Sequence, residues 1–124
     1  MARHVSGTFR RADRVRAGTG VRVRLLVAER GRECSATLLE LGMSDLLASG
    51  ELLPLGTRVS VGITLPGRYL EFEIPGMVSW HLNGEFGVSF DYLSARQTYG
   101  LVLAIDLLSQ VASLATARAP AGSR

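Results

Sequence analysis

From Val21 onward, apolar and polar residues alternate in short runs separated by turn residues, the pattern of strands that bury one face. Val21, Val23, Leu25 and Val27 fall on one side of the first run and Arg22 and Arg24 on the other. A second run, Cys34 to Leu41, follows the turn Glu29-Arg30-Gly31-Arg32, and a third, within Leu46 to Leu53, is interrupted by Gly50. Arg58 to Leu65 alternates with Val59, Val61, Ile63 and Leu65 inward and stops at the turn dipeptide Pro66-Gly67. Leu70, Phe72 and Ile74 then oppose Glu71 and Glu73, Pro75-Gly76 breaks or bulges the strand, and Met77 to His81 resumes it. Asn83-Gly84 predicts a two-residue hairpin loop, after which Phe86, Val88 and Phe90 face inward.

Six strands joined by tight turns predict a mainly β fold over 21–93, an antiparallel barrel or sandwich. The chain then changes period. Between Ser94 and about Arg118 polar residues recur at Asp106, Ser109, Gln110 and Ser113, a narrow helical stripe in an otherwise apolar surround. A helix over 94–118 is therefore expected, apolar over more of its circumference than one barrel face covers. The surplus predicts a homodimer or larger assembly through this helix. Residues 1–20 read as a flexible Arg-rich arm and 119–124 as a frayed tail, so the 124 residues make one domain.

Composition narrows the setting. A chain that is 47% hydrophobic folds, and it has neither an 18-residue apolar span nor the apolar core of a signal peptide, which places it in the cytoplasm. Cys34, the single cysteine, allows no internal disulfide and fits a reducing compartment. The net charge of +3 is carried by arginines alone, concentrated at Arg10, Arg11, Arg14, Arg16, Arg22 and Arg24. Guanidinium suits bidentate contact with phosphate or guanine, although the absence of lysine equally fits a GC-rich genome. A basic nucleic-acid-binding barrel is the third choice, because the strands lack exposed aromatics interleaved with basic residues.

No catalytic set emerges. His4 and His81 lack ligand-spaced neighbours, Glu71 and Glu73 fit a solvated strand face, Cys34 fits a packing position, and the glycine-rich turns lack a phosphate-loop lysine. Trp80 reads as a packing residue. The protein is not expected to be an enzyme or to carry a metal or cofactor.

The arm spacing Arg10-x-x-x-Arg14, the strand order, Leu53-Pro54-Leu55-Gly56-Thr57-Arg58-Val59, Val78-Ser79-Trp80, Gly87-Val88-Ser89-Phe90 and a terminal helix together resemble the PilZ domain, the bacterial receptor module for cyclic di-GMP. The resemblance implies a six-stranded antiparallel β-barrel with an N-terminal arm and a C-terminal helix. It also implies a nucleotide site in which Arg10 and Arg14 clamp the ligand, supported by Arg11 or Arg16, with Glu40 as a weakened guanine contact. The family's second motif, Asp or Asn, then Ser two residues on, then Gly three further, aligns with Glu40, Gly42 and Asp45, none of which is the usual residue. Two functions follow from the resemblance: a cyclic di-GMP receptor, or a PilZ-like adaptor that has lost the nucleotide and binds protein partners. In the second, Arg10 or Arg14 pairs with Asp13, Glu40 or Asp45 within the folded protein instead of with a phosphate.

Overall fold

The computed structural model describes residues 14–18, 21–29, 31–51, 53–65 and 68–122, and among these there are seven strands and one helix. They are β1 (Val15–Arg16), β2 (Arg22–Val27), β3 (Arg32–Leu41), β4 (Asp45–Gly50), β5 (Arg58–Leu65), β6 (Arg68–Leu82), β7 (Glu85–Phe90) and α1 (Ala95–Gly122). The order β3-β2-β5-β6-β7-β4 closes on itself through β3–β4 pairing, so six antiparallel strands form a barrel without a free edge. The closed ring buries the alternating set read from the sequence, with Val23, Leu38, Val61, Ile74, Phe86 and Val88 fully enclosed.

The seventh strand, β1, is not legible as a strand in the sequence. It pairs with β3 at Val15–Leu41 and Arg16–Glu40, on the edge that β2 leaves at Thr37, because β4 occupies the other edge. The Ala17 amide extends this contact by donating to the Leu39 carbonyl at 2.8 Å, and Ala17 is buried. Residues 14–18 of the expected arm are thus fixed to the barrel. Residues 1–13, including Arg10 and Arg11, lie outside the described residues.

β6 runs without a break through Pro75-Gly76, contrary to the interruption expected there. A strand residue's N–H and C=O point to the same edge, and the Pro75 carbonyl accepts from the Asp91 amide, past the end of β7. The missing donor of Pro75 therefore falls at the end of the β6–β7 ladder, where it costs a terminal bond and not an interior one. Gly76 is fixed by space, since a Cβ there would stand 2.7 Å from the Ser89 carbonyl oxygen. The register of β6 shifts elsewhere, against β7 between Val78 and Trp80 and against β5 between Gly62 and Thr64.

A reciprocal box starts α1: the Gln97 amide donates to Ser94 Oγ at 3.1 Å, and the Ser94 amide donates to Gln97 Oε1 at 2.8 Å. Gln97 Nε2 also donates to the Glu73 carbonyl at 2.8 Å, which ties the first turn to β6. Leu101, Ala104 and Leu108, at i, i+3 and i+7, are the buried stripe, and the helix packs against β1 and β6. Full burial contributes about 1.5–3 kcal/mol for each leucine. Helical backbone continues to Gly122, beyond the expected end at 118 and through most of the expected tail. No described helix is long and apolar enough to cross a membrane.

Candidate functional site

One bulge decides which way the site faces. Cys34, Ala36 and Leu38 of β3 point into the barrel, and strict alternation would send Glu40 after them. Between Leu38 and Glu40 the register with β4 shifts, from Leu38–Ala48 to Glu40–Leu47, so Leu39 is an extra residue. Leu41 then turns inward, fully buried, and Glu40 faces out.

Beyond Leu41, a two-residue loop of Met43 and Ser44 joins β3 to β4, with the Gly42 amide donating to the Asp45 carbonyl at 2.9 Å. Gly42 and Asp45 are therefore opposite each other on the outer face, one step from the Leu41–Leu46 pair. Pairing of Val15 with Leu41 puts Val15 on the core side and sends its neighbour Arg14 outward, toward the same three residues.

The guanidinium of Arg14 closes this constellation. Its Nε donates to Asp45 Oδ1 at 3.0 Å and its Nη2 to Asp45 Oδ2 at 2.8 Å, a two-point fork, while Nη1 donates to Glu40 Oε1 at 3.3 Å. The Arg14 side chain is 2% exposed, Asp45 8% and Glu40 28%. Gly42 supplies the room, because a Cβ on it would stand 3.0 Å from Arg14 Cγ. Asp45 needs no glycine-like backbone: among the described residues only Asn83 is a non-glycine with positive φ.

The structure thus gathers Arg14, Glu40, Gly42 and Asp45 from among the expected site residues; Arg10 and Arg11 lie outside the described residues. Sequence reading missed β1 and the bulge at Leu39, the two features that aim Arg14 and Glu40 at each other. Neither leaves a periodic signal, since one is two residues long and the other is one residue out of step. Chemically, the site is an ion-paired clasp on the barrel wall. Among the described residues no group of three or more His, Cys, Asp or Glu is placed to hold a metal ion. Cys34 is buried, and burial pushes its thiol pKa up against a partial opposing effect of Arg32.

No family model and no curated protein matches the sequence. By structure the chain is similar to the PilZ domain of CeSA from a cellulose-synthesizing bacterium, with a TM-score of 0.62 and 17% identity over 77% of this chain and 97% of that one. It is also similar to the PilZ domain of YcgR from Escherichia coli, solved with cyclic di-GMP, at a TM-score of 0.66 and 14% identity over 83% and 93% of the two chains. The Bacillus subtilis inhibitor of motility MotI/DgrA gives 0.56 and 15%, over 81% of this chain and 50% of that one. The chain therefore has the PilZ fold: a closed six-stranded antiparallel barrel with one extra strand and a C-terminal helix.

Proposed function

We propose that this chain is a non-enzymatic, cytoplasmic signalling domain of PilZ type that acts as an adaptor through protein contacts, with its arginine clasp closed on its own carboxylates. The observation that carries this reading is the engagement of Arg14 by Asp45 and Glu40 at 2% exposure. A nucleotide phosphate seeking that guanidinium must displace both carboxylates and then face them. Each such repulsion is about 1 kcal/mol at 4 Å in water and about 4 kcal/mol at the effective dielectric of a protein surface.

Calorimetric titration with cyclic di-GMP tests the reading, with no saturable heat as the expected result. The competing reading is a cyclic di-GMP receptor in which Arg10 and Arg14 clamp the ligand with help from Arg11. Its support is the position of Arg14 beside the Glu40–Asp45 turn, together with the nucleotide in the YcgR structure. Saturable low-micromolar binding that Arg14→Ala abolishes would establish the receptor and remove the adaptor.

Self-association through α1 belongs to the same proposal. Tyr99, Val102 and Leu103 share one exposed face of the helix at 70%, 52% and 37% exposure. Truncation before Leu101 would remove core residues, so light scattering on Val102→Glu/Leu103→Glu is the suitable test. A wild-type mass above one chain that falls to one chain in the variant supports the interface.

A further inference from the structure

Along the solvent side of α1, Arg96, Tyr99, Leu103 and Asp106 follow one another at spacings of three, four and three residues. That is the alternation of a and d positions in a heptad, which keeps side chains on one seam of a helix. All four point away from the barrel: Arg96 and Asp106 are exposed, Tyr99 is 70% exposed and Leu103 37%. At 3.6 residues per turn the seam lies opposite Leu101, Ala104 and Leu108, the stripe buried against the barrel.

The order of these residues makes the seam complementary to itself. Its spacing reads the same in both directions, but its ends differ, with a cation at the start, an acid at the end and two apolar side chains between. In a second copy laid antiparallel, Arg96 meets Asp106 and Tyr99 meets Leu103, and the two-fold axis makes each contact twice. A parallel pair would instead set Arg96 on Arg96 and Asp106 on Asp106, with the two helix dipoles aligned. The charges thus select both the occupant of this face and its direction.

The flanks fit the same register. Among the described residues neither Arg96 nor Asp106 has an ion-pair partner, and the bond that Asp106 Oδ2 accepts from Gln110 Nε2 at 3.0 Å leaves the carboxylate room for a guanidinium. Val102, 52% exposed, borders the apolar centre. Gln110, the next seam position after Asp106, comes level with Tyr92 of the second copy, which is 95% exposed just ahead of the helix. The barrels, packed on the opposite sides of the two helices, stand outside the pair.

We propose that α1 pairs antiparallel with α1 of a second copy, with Arg96 bridged to Asp106 at two symmetry-related points around a centre of Tyr99 and Leu103. The inference rests on the self-association reading, to which it adds the direction, the register and the residues that set them.

Sedimentation equilibrium on the full-length chain, from about 5 to about 500 μM, measures the dissociation constant of the dimer. Arg96→Asp and Asp106→Arg each bring like charges together at two points, so each should raise that constant about tenfold or more. The double variant Arg96→Asp/Asp106→Arg reverses every pair and should return to within about twofold of the parent. An equimolar mixture of the two single variants should also associate, because each chain then carries the charges that the other lacks, which shows that both remain folded. A wild-type dimer that neither single reversal weakens, or that the double reversal fails to restore, would overturn the antiparallel register and leave self-association standing. A wild type that stays monomeric up to about 500 μM overturns both and gives the face to a different occupant. The cyclic di-GMP titration is independent of either result.

Discussion

Replacing Arg14 with methionine should destabilise the barrel by about 3 kcal/mol. The change keeps much of the stem over Gly42 but takes the guanidinium from a carboxylate that is 8% exposed and receives two of its hydrogen bonds. Breaking a buried ion pair from one side costs about 3–5 kcal/mol, and the lower end applies because Glu40, 28% exposed, admits water to the site. Urea denaturation followed by circular dichroism measures the effect. At a slope of about 1.5 kcal/mol/M, the midpoint falls by about 2 M. Asp45→Asn should cost less, about 2 kcal/mol, since the amide keeps the shape and Arg14 retains the Glu40 carboxylate at 3.3 Å. Glu40→Gln, at the wetter rim, should cost under about 1 kcal/mol.

The double variant Arg14→Met/Asp45→Leu separates pairing from packing. An apolar pair in place of a buried ion pair is often neutral or better, so the double change should lie within about 1 kcal/mol of the parent. A clasp that is only a surface contact predicts a different pattern. Arg14→Met within about 0.5 kcal/mol of the parent, or a double variant as unstable as the sum of the singles, would refute the reasoning.

Gly76→Ala should cost about 1–3 kcal/mol, read as a lower thermal midpoint, because the new methyl meets the Ser89 carbonyl oxygen at 2.7 Å and Val88 Cγ1 at 2.9 Å, and a backbone atom cannot swing aside. Ser94→Ala removes one half of the reciprocal box at the start of α1 and should cost about 1 kcal/mol in the same assay, with faster amide exchange in the first helical turn. Cys34 should resist iodoacetamide at pH 8 in the native protein and react after unfolding in urea. Its folded-state pKa is raised by burial, so its contribution to stability is present below the unfolded thiol's pKa and is lost as pH rises through the folded value; Cys34→Ala should flatten that alkaline loss.

The barrel was legible where one face of a strand is buried and the other wet, because burial at every second residue writes itself into the order of side chains. The expected runs Val21 to Val27 and Arg58 to Leu65 match the observed strands to within one residue for this reason. At Pro75-Gly76 two local signals for a break were overruled by tertiary context: the proline faces the end of β7, and the glycine makes way for it. The helix was legible as a helix, but its length was not, since Ala119-Pro120-Ala121-Gly122 reads as a stop and helical backbone nevertheless continues to Gly122. The strand β1 was invisible because Val15–Arg16 is too short for any period and depends on an edge of β3, at Glu40 and Leu41, that only the fold brings to it.

The altered motif follows a logic that a residue-by-residue comparison hides. Glycine at position 42 reads in the sequence as a lost hydroxyl. In the structure its φ is ordinary, so the backbone does not require it; the Arg14 stem does, because any side chain there would begin 3.0 Å from Arg14 Cγ. Aspartate at position 45 reads as an acid placed where a phosphate would sit, and it is the acid that takes the Arg14 fork. Glutamate at position 40 points outward only because Leu39 is an extra residue in β3, and it then takes the remaining Nη1 contact. The three residues therefore depend on one another: the glycine admits the arginine, the aspartate binds it, and the bulged glutamate completes the clasp. Serine at position 42 alone would not open the site. It would crowd the arginine against the carboxylates that already hold it.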